Sequence, residues 1–80
     1  MNILITGAAG FIGYHISKKI LNKKNIIIGI DNLNDYYDVT IKKNRIKELK
    51  RYTNFKFYKT DLSQKNKISN LIKKYNIKYI

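Results

Sequence analysis

The chain has 80 residues, enough for one small domain whose core is marginal, since folding at this size buries only about 60% of the unfolded surface. It contains no cysteine, which excludes a disulfide framework and thiolate metal sites and fits a reducing, cytoplasmic setting. The formal net charge of +12 makes nucleic acid a candidate partner, while the most apolar stretch, Ile26-Ile27-Ile28-Gly29-Ile30, is far below the roughly 20 residues of a membrane span.

In chain order, Asn2 to Thr6 is a nearly continuous apolar run ending at a glycine, the pattern of a buried parallel strand. No basic n-region opens it and no cleavage site follows, so no export signal is read. Ile12, Ile16 and Ile20 then fall four apart with lysines between them, which predicts an amphipathic helix from Gly10 to about Lys23. Asn25 to Ile30 is a second apolar strand, and Asp31 stands at its end. The segment Asn32-Leu33-Asn34-Asp35-Tyr36-Tyr37-Asp38 is too rich in turn formers to be regular structure. A second helix is predicted from about Asp38 to Tyr52, with Asp38 or Thr40 as N-cap and Ile46 and Leu49 facing inward. Asn54 to Tyr58 reads as a third strand. Ser63 is the expected N-cap of a third helix, in which Ile68, Leu71, Ile72 and Tyr75 share one buried face. Ile77 to Ile80 has the look of a fourth strand's opening.

Strands alternating with helices at this spacing predict an α/β fold, the N-terminal half of a doubly wound (Rossmann) parallel sheet that stops inside its fourth strand. Residues 1–80 would then be a partial β-α-β-α-β-α-β domain, with any substrate domain absent.

The chemistry is concentrated in Thr6-Gly7-Ala8-Ala9-Gly10-Phe11-Ile12-Gly13, which lies between a predicted strand and a predicted helix. Gly7 lets the chain turn off the strand, Gly10 removes a side chain that would hold a diphosphate away from the backbone, and Gly13 lets the helix pack close to the sheet. The amides of Phe11 and Ile12 at the helix N-terminus can then donate to phosphate oxygens, aided by the helix dipole. Three glycines alone could make no more than a tight turn. Asp31 adds weight, because it ends the second strand 18 residues after Gly13, near the spacing at which an acidic side chain accepts from both hydroxyls of an adenosine ribose. Its charge would repel a 2′-phosphate, which favours NAD over NADP. Asn32 and Asn34 follow in a loop that would pass the ribose and adenine.

The spacing Thr6-Gly7-x-x-Gly10-x-x-Gly13 resembles that of the extended short-chain dehydrogenase/reductase family of NAD-dependent epimerases and dehydratases. Within it, Asp31 to Asp38 is similar to the segment found in UDP-glucuronate 4-epimerases and in related capsule and O-antigen sugar epimerases. The resemblance continues through Asp61-Leu62-Ser63, and it implies that Asp61 and Leu62 line the adenine pocket. It further implies a tightly held NAD that takes a hydride from C4 of a nucleotide sugar and returns it to the opposite face. Full-length members are often homodimers. Their general base is a tyrosine in a Tyr-x-x-x-Lys pair far beyond residue 80. The two such spacings here, Tyr14 with Lys18 and Tyr52 with Lys56, are close to what chance gives with seven tyrosines in a lysine-rich chain, and no catalytic residue is assigned.

Three functions compete at this point: the N-terminal NAD-binding piece of a nucleotide-sugar epimerase, inactive alone; a non-catalytic NAD or nucleotide-binding module; and a basic nucleic-acid binder. A nucleotide-sugar 4,6-dehydratase is a variant of the first. The lysine doublets Lys18-Lys19, Lys23-Lys24, Lys42-Lys43 and Lys73-Lys74 are spread over several helices, and arginine occurs only twice, which suits solvated helix faces better than a nucleic-acid groove. His15 sits early in the first helix with no acid/base partner in the sequence pattern, and the acidic residues show no metal-ligand spacing. Neither nucleic acid, nor membrane, nor metal is therefore expected.

Overall fold

The computed structural model describes residues 1–21, 24–33 and 39–80. Its elements are β1 (Asn2–Thr6), α1 (Phe11–Leu21), β2 (Ile26–Asp31), α2 (Val39–Leu49), β3 (Phe55–Lys59) and α3 (Lys65–Lys74). The three strands form one parallel sheet in the order β1-β2-β3, with Thr6 opposite Ile30 and Asp31 opposite Lys59. Beyond α3 the chain returns to the other edge of β1. There Tyr79 makes a parallel bridge to Ile3, the Leu4 N–H donates to the Tyr79 carbonyl at 2.8 Å, and the Lys78 N–H donates to the Asn2 carbonyl at 2.9 Å. The expected fourth strand is thus present as a single bridge on the side of β1 away from β2.

Both faces of the sheet are covered, which is why its strands read as continuous apolar runs. Ile27 and Phe55 pack with Ala8, Ala9, Leu21, Ile46 and Leu49 under α1 and α2. The alternate residues Leu4, Ile28 and Ile30 pack with Leu71 under α3, joined by Ile68, Ile72 and Tyr75 as the helical spacing predicted. Gly29 lies at a tight point: a Cβ there would stand 2.8 Å from Phe55 Cζ and 2.9 Å from Ala8 Cβ.

Several local expectations are corrected. The helix α1 starts at Phe11, after a turn in which the Gly10 N–H donates to the Gly7 carbonyl, and Lys23 lies outside the described residues. Most of the isoleucine row does not face the sheet: Ile12 is 71% and Ile16 48% exposed and only Ile20 packs against the core, while Ser17 and Leu21 are the buried positions. The close approach of the helix explains this. A Cβ on Gly13 would lie 2.2 Å from the Gly7 carbonyl oxygen, so only a row of small residues fits against the loop. Ser17 satisfies its hydroxyl there by donating to the Gly13 carbonyl at 2.7 Å.

Thr40 lies inside α2 rather than capping it, and Asp38 is outside the described residues. The helix closes at Leu49: the Lys50 N–H still donates four residues back to Ile46, but the two amides after it turn back only three, Arg51 to Glu48 and Tyr52 to Leu49. Ser63 does not cap α3. Gln64 holds that position without a side-chain cap bond, while the Ser63 amide and hydroxyl both donate to Asp61 Oδ1. The carboxylate two residues earlier is the stronger acceptor and takes the serine. Asn54 precedes β3, and its side-chain amide donates to the carbonyls of Leu21 and Asn25, tying the end of α1 to the start of β2.

Candidate functional site

The carboxyl ends of β1, β2 and β3 rise together at one end of the sheet, and the loops leaving them build the site. Gly7 has φ of 65°, a conformation that an L side chain adopts only with strain, and a Cβ placed there would meet no atom within 4 Å. The turn therefore needs a glycine, and the space beside it is open. The loop's next two amides are used within the protein: the Ala8 N–H donates to the Ile30 carbonyl at 3.0 Å and the Ala9 N–H to Asp31 Oδ2 at 3.0 Å. Tyr14 then donates to the Gly10 carbonyl and begins the ladder of α1. Phe11 and Ile12 precede it, in the first turn, where amides have no intrahelical acceptor and the helix dipole is positive.

Asp31 is almost wholly buried and organises its surroundings. Besides holding Ala9 through Oδ2, it accepts the Leu33 N–H on Oδ1 at 2.7 Å, and the ammonium of Lys42 stands 3.6 Å from the same oxygen. Lys42 is itself 5% exposed. A second residue of α2, Arg45, donates to the Ala9 carbonyl at 3.1 Å and lies over the rings of Phe11 and Tyr14. The glycine loop is thus gripped on both sides of one residue, Ala9, by Asp31 at the nitrogen and by Arg45 at the oxygen.

Two clefts meet here. The first, of about 520 Å³, is lined by Thr6, Gly7, Ile30, Asp31, Asn32, Lys42, Asp61, Leu62 and Ser63. In it Asp61 is held by Ser63, and hydrogen bonds from the Ser63 hydroxyl and then the Ser63 amide keep its carboxyl below the usual range, with the Asn32 side chain and Gln64 amide acting in the same direction. The second cleft, of about 550 Å³, runs beside the outer edge of β1, where Thr6, Gly7, Gly10, Phe11, Ile12 and Gly13 adjoin an apolar wall that includes Ile16, Ile20 and Ile80. Thr6 and Gly7 belong to both.

The residues expected from the sequence to form a site therefore fall into two groups at one place. Gly7, Asp31, Asn32, Asp61 and Leu62 line the first cleft, and Gly7, Gly10, Phe11, Ile12 and Gly13 the second. Asn34, Tyr36 and Tyr37 lie outside the described residues. Sequence reasoning missed Lys42 and Arg45, whose only signal was their position three apart on a predicted helix. Tyr14, Lys18, Tyr52 and Lys56 line neither cleft. Among the described residues no cluster of histidine and carboxylates could hold a metal ion, and no helix is long and apolar enough to cross a membrane.

Fold and clefts together define a class: the leading half of a doubly wound α/β domain with a glycine-turn site where the strand order reverses. The family model described as GDP-mannose 4,6 dehydratase matches residues 4–80, and the chain belongs to that family, within the epimerases and dehydratases of the extended short-chain dehydrogenase/reductase group. It is 43% identical over 74 residues to the UDP-glucuronate 4-epimerase of Thermodesulfobacterium geofontis, covering 92% of this chain and 23% of the relative. The solved UDP-glucuronic acid 4-epimerase of Bacillus cereus, in complex with UDP-glucuronic acid and NAD, matches with a TM-score of 0.83 at 32% identity over 100% of this chain and 26% of its own. The dTDP-glucose 4,6-dehydratase of Bacillus anthracis in complex with NAD matches with a TM-score of 0.83 at 29% identity, over 96% and 24%. The chain spans about a quarter of the length of these relatives.

Proposed function

We propose that these residues hold NAD for a nucleotide-sugar epimerase of the UDP-glucuronate 4-epimerase kind, and that alone they turn over no sugar. The observation that carries this reading is the meeting of a polar cleft and an apolar cleft at Thr6 and Gly7, with Asp31 in the first and the N-terminus of α1 at the junction. An elongated ligand with a diphosphate at its middle fits that arrangement. The open space at Gly7 admits it to the backbone, and the first-turn amides of Phe11 and Ile12 supply donors for its phosphates. Asp31 accepts from the ribose, since a carboxylate has about four acceptor positions. Asn32, Asp61 and Leu62 line the adenine side, with Asn34 as a further candidate. The relatives solved with NAD support this choice of ligand.

When bound, NAD supplies the hydride acceptor and donor for chemistry at the sugar's C4. The contribution of residues 1–80 is to bind and orient its adenosine and diphosphate portions. Neither Tyr-x-x-x-Lys pair lines either of these two clefts, so no proton transfer is assigned to them. The nucleotide sugar and a second subunit are partners of the complete enzyme.

Titration calorimetry of the 80-residue chain with ADP-ribose and with NAD tests the reading. Binding of both with affinities within about tenfold is expected, because the shared adenosine diphosphate provides the contacts. An absence of ADP-ribose binding, or measurable epimerisation of UDP-glucuronate by this chain, would refute it.

A further inference from the structure

The side of α2 turned away from α1 carries a row of lysines. Arg45 and Glu48 reach toward α1 and its glycine turn, where they meet Ala9 and Lys18, while Ile46 and Leu49 are buried in the core. Lys43, Lys47 and Lys50 follow the i, i+4, i+7 spacing of the helix face that remains, and all three are exposed. With Leu33, Ile46 and Phe57 they line a recess of about 300 Å³, and the Lys50 ammonium stands 5.7 Å from the centre of the Phe57 ring. Among the described residues this recess has an apolar floor, a cationic rim and no acidic side chain. Because α1 packs on β1 and β2 and β3 is last in the strand order, the lysine row lies over the outer edge of β3.

Among the described residues no strand pairs with that edge. Two bonds fix which backbone groups it offers: the Ile27 N–H donates to the Asn54 carbonyl at 2.9 Å, and the Thr60 N–H to the Asp31 carbonyl at 3.1 Å. Alternate residues of a strand aim their backbone groups at opposite neighbours, so Lys56 and Tyr58 face β2, and the N–H and C=O of Phe57 and Lys59 point outward. We propose that the outer edge of β3 and the row of Lys43, Lys47 and Lys50 together dock an acidic, extended segment of a partner protein, which adds to the sheet as a strand beside β3. Its backbone exchanges hydrogen bonds with Phe57 and Lys59. On the α2 side one apolar side chain fills the recess over Phe57, with carboxylates flanking it toward the lysines, and on the other side the exposed Lys56 meets a further carboxylate. Lysines on an edge ordinarily discourage pairing, and here they discriminate: a second copy of this chain, with its net charge of +12, is repelled, and an acidic segment is attracted. None of these residues lines the two clefts described above, so docking and cofactor binding are separable.

The test is an NMR titration of the 80-residue chain with the peptide acetyl-Glu-Glu-Leu-Glu-Glu-amide, read through backbone amide exchange. Saturating peptide should slow exchange of the Phe57 and Lys59 amides at least about tenfold and leave Lys56 and Tyr58, already paired with β2, within about twofold. Replacing all three of Lys43, Lys47 and Lys50 by Gln should raise the dissociation constant at least about fivefold. Lys59→Pro, which deletes one outward N–H, should raise it at least about tenfold, whereas Lys59→Gln should stay within about threefold. If Lys59→Pro does not fold, the wild-type exchange rates decide. The proposal is overturned by an absence of binding at millimolar peptide, by binding that leaves Phe57 and Lys59 exchanging as before, or by equal binding of the peptide with lysine in place of glutamate. Displacement of the peptide by an oligothymidylate of the same charge would assign the lysine row to nucleic acid and overturn it as well.

Discussion

The contact between α1 and the glycine turn can be tested by one methyl group. In Gly13→Ala the new Cβ would lie 2.2 Å from the Gly7 carbonyl oxygen, 2.8 Å from its carbon and 3.1 Å from Ala8 Cα, all of them backbone atoms. No rotamer change relieves such a clash, and α1 must withdraw by about 1 Å to reach ordinary contact. Overpacking of this kind costs about 1–3 kcal/mol, and a backbone obstacle belongs at the upper end. Alanine returns about 1 kcal/mol through its helix propensity, leaving a net loss of about 2 kcal/mol. For a chain of this size, with a urea dependence of about 1 kcal/mol per molar, the unfolding midpoint should fall by about 2 M. ADP-ribose affinity should fall as well, because the amides of Phe11 and Ile12 ride on the displaced helix. Circular dichroism in urea reads the first effect and calorimetry the second. A midpoint equal to or above wild type would show that the helix does not pack on the turn through Gly13.

Gly29→Ala meets the movable ring of Phe55 at 2.8 Å and Ala8 Cβ at 2.9 Å, a milder clash than the 2.2 Å at Gly13, so it should cost less than Gly13→Ala and combine with Phe55→Leu less than additively in the same urea assay. Asp31→Asn removes the carboxylate that faces a buried ammonium and should cost about 3–5 kcal/mol, with much of that recovered when Lys42→Met is added. Asn54→Ala leaves the carbonyls of Leu21 and Asn25 without their donor and should cost about 1–2 kcal/mol by urea unfolding. Because the folded pKa of Asp61 is depressed, its contribution is present above the unfolded carboxylate pKa of about 4 and is lost as pH falls through the lower folded value. NMR titration should place that midpoint below an ordinary aspartate's, and Ser63→Ala should move it upward.

What the sequence revealed depended on how local the determining interactions were. The strand β1 is set by five adjacent residues, and its observed bounds, Asn2–Thr6, match the expected ones. The inward face of α3 follows from helical spacing alone, and Leu71 is buried on it with Ile68, Ile72 and Tyr75 beside it. The glycine turn is similarly compact, since its strain at Gly7 and its close contact at Gly13 are both made within seven residues. Lys42 was invisible for the opposite reason. In a chain this rich in lysine, composition does not distinguish a buried ammonium from a solvated one, and its partner Asp31 lies on another element. Arg45 and Asn54 act on carbonyls 36 and 33 residues away, contacts that only the assembled sheet creates. The capping expectations at Thr40 and Ser63 failed because a favourable residue type was weighed without its competitors, and at Ser63 the competitor is the Asp61 carboxylate.

The exposed isoleucines of α1 follow from the order of the strands. From β1 to β3 the chain steps outward in one direction, placing α1 and α2 on one face of the sheet. Next, α3 crosses the opposite face and brings Tyr79 onto the free edge of β1, so the direction of travel reverses at β1. In open α/β sheets a crevice forms where the connections on the two sides of such a reversal part to opposite faces, outside the carboxyl ends of the strands. Thr6 and Gly7 are shared by both clefts because they close β1 at that reversal. The helix α1 starts there too. It gives Ser17 and Leu21 to the sheet and turns Ile12 and Ile16 toward the apolar cleft, where Ile20 lies between cleft and core and Ile80 completes the wall. The four-residue isoleucine spacing that marked α1 as amphipathic in the sequence therefore reports the wall of the crevice at Ile12 and Ile16, and reaches the core only at Ile20. Substituting Ile16 by a polar residue should accordingly leave the packing of Leu21, Ile27 and Phe55 intact.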